Sequence, residues 1–181
     1  MNDGLIPNRY AKALYKFALE NNGANDVYAQ TKMLAHNLAV TEGMAKAIEN
    51  PFLAQPEKEK VLLAASGADS DGCLGKFFKL VFSHGREAML LPMAIAYGKL
   101  YRDANGISQV SITTAAALQE SEMKKIRGYV QSYLSNRKIE YTETVDPSLI
   151  GGFTVKVDSL LLDASISCEL RNLRLKLLSN K

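Results

Sequence analysis

Cysteine and histidine are both scarce in this sequence, with two of each. Cys73 and Cys168 lie far apart and neither belongs to a CxxC pair, which excludes the usual zinc and redox spacings; both are expected as buried free thiols. His36 and His84 have no HExxH or similar ligand spacing around them, so no metal is expected and each should sit at a helix surface or end. Long hydrophobic runs are missing too: the most apolar stretch, residues 89–97, is about half the length a bilayer crossing requires. Residues 1–7 lack a basic segment followed by an apolar one, and Arg9, Lys12 and Lys16 follow, so export is not expected. Nor does one sign of charge dominate. Lys and Arg number 22 against 19 Asp and Glu, a net charge of +3, which gives no general nucleic-acid field; only the tail is clearly basic. What is present is an ordinary folding composition, 47% hydrophobic and 23% charged, far from the disordered class. A chain of 181 residues holds one ordinary domain or two small ones.

Helical periodicity fills the first half. Pro7 stands where a first turn would begin, and Tyr10, Ala13, Leu14, Phe17 and Ala18 follow the spacing of an amphipathic helix that Asn21, Asn22 and Gly23 end. A second helix is predicted over 26–41 with Val27, Thr31, Leu34 and Leu38 inward, and a short third one reaches the break at Asn50 before Pro51. Pro56 and Glu57 open a fourth helix carrying Val61, Leu62 and Ala65 up to a loop at 67–72. In the fifth, Leu74, Phe77, Phe78, Val81 and Phe82 hold helical spacing, and Leu80 widens the stripe beyond one core face, which points to a partner. A sixth helix is predicted from beyond Gly85 and Arg86 to about 103, with Pro92 near its first turn and Leu91, Ala94, Ile95 and Gly98 on one side.

Beyond Asn105 and Gly106 the pattern changes. Residues 107–114 are rich in β-branched side chains and predict a strand. Residues 121–136 read as a helix, with Glu120 and Glu122 at its positive end and Met123, Ile126, Val130, Tyr133 and Leu134 apolar. Strands return at 138–145 and 153–157; Asp158 and Ser159 can turn, 160–162 can pair back, and a last helix from Ala164 carries Ile166, Leu170, Leu173 and Leu177. The fold class is therefore mainly α: an N-terminal six-helix bundle over 1–105, then a small α+β domain over 106–181.

A search for catalytic chemistry finds isolated fragments. Gly151 and Gly152 lack the Lys and Ser or Thr of a phosphate-binding loop and read as a close backbone approach or bulge at a strand start. Ser121 and Lys124 form a lone SxxK without companion motifs, better read as a helix-start serine beside a solvated lysine. Asp158 and Asp163 bracket a hairpin and suit turn and cap roles better than paired acid–base work. Arg171, Arg174, Lys176 and Lys181 could meet phosphate, but cations near a helix C-terminus are also favoured by its dipole. A chain with overly apolar helices and no catalytic constellation points to binding or scaffolding.

Three segments carry a resemblance. The first is Arg9-Tyr10-Ala11-Lys12-Ala13-Leu14-Tyr15-Lys16-Phe17-Ala18, with a Tyr-Ala-x-Ala-Leu core. Next come Phe77, Phe78 and Leu80 with Gly85-Arg86 and Leu91-Pro92 after them. The third is Asp146-Pro147-Ser148-Leu149-Ile150-Gly151-Gly152-Phe153-Thr154-Val155-Lys156-Val157, continued by Asp163-Ala164-Ser165-Ile166. In this order they resemble the delta subunit family of F-type ATP synthases, known in mitochondria as the oligomycin sensitivity conferring protein. The Gly85 to Pro92 spacing is one residue longer than the family pattern, and Ala164 replaces the usual glycine, which touches turn geometry.

The resemblance implies a non-catalytic stator connector between the alpha/beta headpiece and the peripheral stalk, without cofactor, metal or catalytic residue. The helical domain would accept the N-terminal helix of alpha subunits in a groove between its first and fifth helices, at Tyr10, Ala13, Leu14, Phe17, Phe77, Leu80 and Val81. The α+β domain would hold the C-terminal end of the b subunit through Gly151, Gly152 and the last helix, including Leu170 and Leu173. The resemblance further implies a peripheral location on the cytoplasmic face of a bacterial inner membrane, with a plastid or mature mitochondrial form as the alternative. The rival readings are a nucleic-acid-binding adaptor using the basic last helix and an enzyme built on Ser121 and Lys124 or on the paired aspartates.

Overall fold

The computed structural model describes residues 4–50, 52–134, 137–158 and 160–179. Contacts divide the chain into two compact units, Met1–Ala104 and Asn105–Lys181. Among the described residues it is mainly helical, with eight α-helices, and a small four-stranded sheet lies in the C-terminal region.

Six helices belong to the first unit: α1 (Leu5–Glu20), α2 (Ala24–Val40), α3 (Glu42–Glu49), α4 (Gln55–Ser66), α5 (Cys73–Ser83) and α6 (Leu90–Asn105). Every one of them contributes to one core, in which Leu34, Leu62, Phe78 and Tyr97 are buried completely or nearly so. Burying such a side chain contributes about 1.5–3 kcal/mol. Polar groups inside are satisfied: Asn37 of α2 donates to the Ala65 carbonyl of α4 at 2.8 Å, and the Tyr97 hydroxyl donates to the Ala24 carbonyl at 3.1 Å. Burial pushes the Tyr97 phenol well above its ordinary pKa.

Two inward faces differ from expectation. On α1 the buried positions are Pro7, Ala11, Leu14 and Ala18, with Ala13 exposed and Tyr10 and Phe17 half-buried. Small side chains at 11 and 18 let the backbone approach its neighbours, which turns the expected stripe sideways. On α6 the face is Leu90, Met93, Ala94, Tyr97 and Gly98, while Ile95 is 57% exposed. That helix is apolar nearly all round in its first turns, so periodicity could not choose a side, and the buried hydroxyl bond of Tyr97 accompanies the observed one. The cysteines are free but half-buried, not buried as expected: each lies on one flank of its helix.

The second unit runs β1 (Ile107–Thr114), α7 (Glu120–Tyr133), β2 (Lys138–Val145), β3 (Gly152–Val157), β4 (Leu160–Ser165) and α8 (Ile166–Ser179). The sheet order is β2-β1-β3-β4; β1 and β2 are parallel across the α7 crossover, and the other pairs are antiparallel. Strand β4 extends through Ser165, so the last helix starts at Ile166 instead of Ala164. The register explains this, since Ala164 lies opposite Phe153 and Ser165 opposite Gly152. Asp158 forms the expected turn between β3 and β4; Ser159 lies outside the described residues.

The same register sets the faces. Tyr141, Val110, Val157 and Leu160 stand in one row across the four strands, and Glu143, Ile112, Val155 and Leu162 in the next. Met123 and Val130 of α7 close a small core with Val110, Ile112 and Val155. Arg127 of α7 bonds Glu143 and lies over the Tyr141 ring at 5.4 Å, anchoring the helix above the β2 side.

Candidate functional site

The residues singled out on α1 and α5 meet in one place, but with different exposures. Leu14, Phe77 and Val81 are buried; Tyr10 and Phe17 are half-buried; Ala13 and Leu80 are exposed, Leu80 by 44%. Residues 6, 10, 13 and 17 on α1 and 73, 77, 80 and 84 on α5 share the i, i+4, i+7, i+11 spacing that lines one flank of a helix. These flanks face each other. The Tyr10 ring meets Phe77 and His84 edge-on, each at 6.2 Å between centroids. At the other end, Gly23 after α1 lies against Cys73 at the start of α5, so the two helices run antiparallel. The result is an apolar seam walled below by the core and open above.

A polar cluster closes one end of the seam. Arg86 donates from Nη1 to the Tyr10 hydroxyl at 3.2 Å, and its guanidinium lies over the Tyr10 ring at 5.3 Å. Tyr10 Oη is also 3.1 Å from Nδ1 of His84. Because Arg86 supplies the hydrogen on one side, the phenol can donate its own to the imidazole.

The second unit carries a different surface. With α7 anchored over β1 and β2, the same sheet face continues uncovered over β3 and β4. A groove of about 550 Å³ remains there, walled by Ile126, Tyr129 and Tyr133 of α7 and floored by Val155, Val157, Leu160 and Leu162. Two strands are about 10 Å across, the width of one helix. On α8, Ile166, Leu170, Leu173 and Leu177 form a stripe that is 44–76% exposed. Arg171, Arg174 and Lys176 share that helix and are exposed; Lys181 lies outside the described residues.

Gly151 and Gly152 do not line this groove; they hold the loop before β3 against α8. A Cβ on Gly151 would stand 2.5 Å from Cδ1 of Ile166, and one on Gly152, whose φ is +76°, 2.2 Å from the Ala164 carbonyl oxygen. The close approach read from the sequence is thus present. Ile150 before them has φ +66°, a conformation that costs a β-branched residue about 1–3 kcal/mol.

The fragments of catalytic patterns fall apart spatially or take structural roles. Gln119 and Glu122 form the capping box of α7, so the helix-start role expected of Ser121 belongs to Gln119; Ser121 and Lys124 are exposed. Asp158 accepts from the Gln109 amide at 3.3 Å and Asp163 from the Ser165 amide at 3.0 Å. His36 is exposed on α2, and His84 caps α5. Among the described residues no cluster of His, Cys, Asp and Glu could hold a metal, and no helix is long and apolar enough to cross a membrane.

Two features escaped the sequence reading. The Tyr10, His84 and Arg86 cluster needs the packing of α1 on α5, and the groove beside α7 needs the strand register. The alternating Phe153, Val155 and Val157 followed by Leu160 and Leu162 was the available signal for the groove.

Comparison with known proteins agrees with this architecture. The family model described as ATP synthase delta (OSCP) subunit matches residues 6–177. A protein of Parabacteroides distasonis named ATP synthase subunit delta is 35% identical, with both chains covered completely. Its counterpart of the same name in Azobacteroides pseudotrichonymphae is 32% identical over 96% of this chain and 98% of its own. A chain in the cryo-EM structure of the Toxoplasma gondii mitochondrial ATP synthase hexamer shares the fold, with a TM-score of 0.74 at 20% identity, covering 95% of this chain and 97% of its own.

Proposed function

The chain belongs to the ATP synthase delta (OSCP) subunit family, a non-catalytic stator connector of the F-type enzyme, and from that premise we propose which partner each unit holds. The helical unit, residues 1–105, takes the N-terminal helix of an alpha subunit in the seam between α1 and α5. The sheet unit, residues 106–181, takes the C-terminal end of the b subunit. The complex then stands on the cytoplasmic face of a bacterial inner membrane, with this chain peripheral to it.

One observation carries the first assignment: beside the buried Leu14, Phe77 and Val81, the half-buried Tyr10 and Phe17 and the exposed Ala13 and Leu80 form a line on α1 and α5 that the unit itself leaves open. Residues 6 to 17 span roughly 16 Å of helix axis, enough for about three turns of a partner. For the second, Leu170 and Leu173 on α8 and the groove beside α7 together present apolar surface that this chain alone does not cover. Gly151 and Gly152 support this surface from beneath by seating α8. The output of such a connector is affinity. It must hold the headpiece still against the rotor, and desolvated apolar anchors give the slow dissociation that requires.

The test is calorimetric titration of the full chain with a peptide copied from the N-terminus of the alpha subunit of the same genome. Ala13→Glu and Leu80→Ser alter exposed seam positions and leave the core intact. Saturable binding that each variant weakens by about tenfold or more supports the assignment. Binding indifferent to both removes it.

A further inference from the structure

The charges on the two helices that form the seam, α1 and α5, are of nearly one sign. Arg9 and Lys16 flank Ala13 on α1, and Lys76 flanks Leu80 on α5; all three are exposed, and among the described residues none is paired with a carboxylate. Arg86 stands at the end. On the same rows the one acidic side chain is Glu20, at the last position of α1. Lys79, on the far side of α5, is already engaged by Glu59 at 3.6 Å.

Arg86 differs from the others in being held. Its guanidinium is half-buried, stacked on Tyr10 and fixed by one hydrogen bond to that phenol, and among the described residues no acid meets it. A guanidinium has five N–H donors in a rigid fork. Among the described residues one is used here, and the contact with the Tyr10 ring has already restricted the side chain that a ligand would otherwise have to order.

Resting on the assignment of the seam to a helix of the alpha subunit, we propose that the seam selects an acidic amphipathic helix, and that Arg86 is its specificity-determining contact, binding a carboxylate at one end of that helix. The apolar seam supplies the bulk of the affinity, while Arg9, Lys16 and Lys76 set a diffuse preference along its rims. A held guanidinium–carboxylate pair is worth about ten- to a hundredfold in affinity; the exposed rim pairs together are worth about two- to fivefold and are screened by salt.

The full chain is titrated with two peptides of about 20 residues: the N-terminal segment of the alpha subunit of the same genome, and the same segment with every Asp and Glu replaced by Gln. The acidic peptide is expected to bind about thirtyfold more tightly at about 50 mM salt, with the gap narrowing at about 300 mM. Arg86→Gln should weaken the acidic peptide about tenfold and leave the Gln peptide unchanged, with Arg86→Lys intermediate. The triple change Arg9→Gln, Lys16→Gln, Lys76→Gln should cost a few-fold and flatten the salt dependence. Equal binding of the two peptides overturns the charge selection while leaving the docking itself standing. So does an Arg86→Gln loss of equal size for both peptides, which would mark a merely structural arginine. A native segment without acidic residues beside its apolar face overturns it as well. Failure of both peptides to bind a folded chain removes the docking and this inference together.

Discussion

In the helical unit Leu34, Phe78 and Tyr97 are 0–1% exposed in a core drawn from six helices, whereas in the sheet unit Leu160, Leu161, Leu162, Leu170 and Leu173 are 51–64% exposed. The same kinds of side chain are spent differently. Six helices wrap a closed interior and leave the seam between α1 and α5 open. A four-stranded sheet with a single helix over one half of its face cannot close, and its small core of Val110, Ile112, Met123, Val130 and Val155 leaves the β3 and β4 half bare. The first unit thus buries its core within itself; the second has apolar surface still to cover, worth about 25 cal/mol per Å² to a partner that covers it.

The contrast is sharpest in the cores. Phe78→Ala removes a fully buried ring and should cost about 3–5 kcal/mol, read as a lower urea midpoint for protection of the helical unit's amides. Leu173→Ala on α8 should change stability by less than about 0.5 kcal/mol. A comparable loss from both would erase the distinction between the two units. Next in size is Gly152→Val, which forces a side chain onto the Ala164 carbonyl at positive φ. It should cost roughly 2–4 kcal/mol, with exchange protection lost in β3 and β4 and kept in α1 to α6.

Much of this was legible from the chain. β1 has the boundaries its β-branched run indicated and β2 those its alternation indicated, and the inward row Val27, Thr31, Leu34, Leu38 of α2 is buried. Local periodicity decides such cases because one side of the element is clearly polar. It could not decide α6, where apolar residues surround the first turns and Ile95 turned outward. Nor could it find the Arg86–Tyr10 contact, which joins residues 76 positions apart, or the groove, which exists because Val157 pairs with Val110 and Leu160 with Val157. Those are consequences of register and packing, and a one-residue slip would have inverted them.

A change on the open end tests completion directly. Leu173→Ser combined with Leu177→Ser should leave the free chain's unfolding nearly unchanged, since both side chains are more than half exposed. Binding of a peptide copied from the C-terminal end of the b subunit, followed calorimetrically, should fall by about tenfold or more. If stability falls and binding does not, the stripe serves the fold of this unit and the groove beside α7 is the better candidate.

The smallest effect expected is one of pH, and it belongs to the sheet unit. Asp146 and Asp163 are both held below the usual carboxylate range, each by hydrogen bonds from a serine two residues on, Ser148 and Ser165. The folded form therefore keeps these carboxylates ionised at a pH where the unfolded chain has begun to protonate. Their contribution is present above the unfolded value of about 4 and is lost as pH falls through the lowered folded values. Both groups face solvent, so the loss should be slight. Urea midpoints for β3 and β4 protection should drop between about pH 5 and about pH 3. Asp163→Asn keeps an acceptor for the Ser165 amide but cannot titrate, so it should flatten that slope; an unchanged slope would assign the acid sensitivity of this unit to other groups.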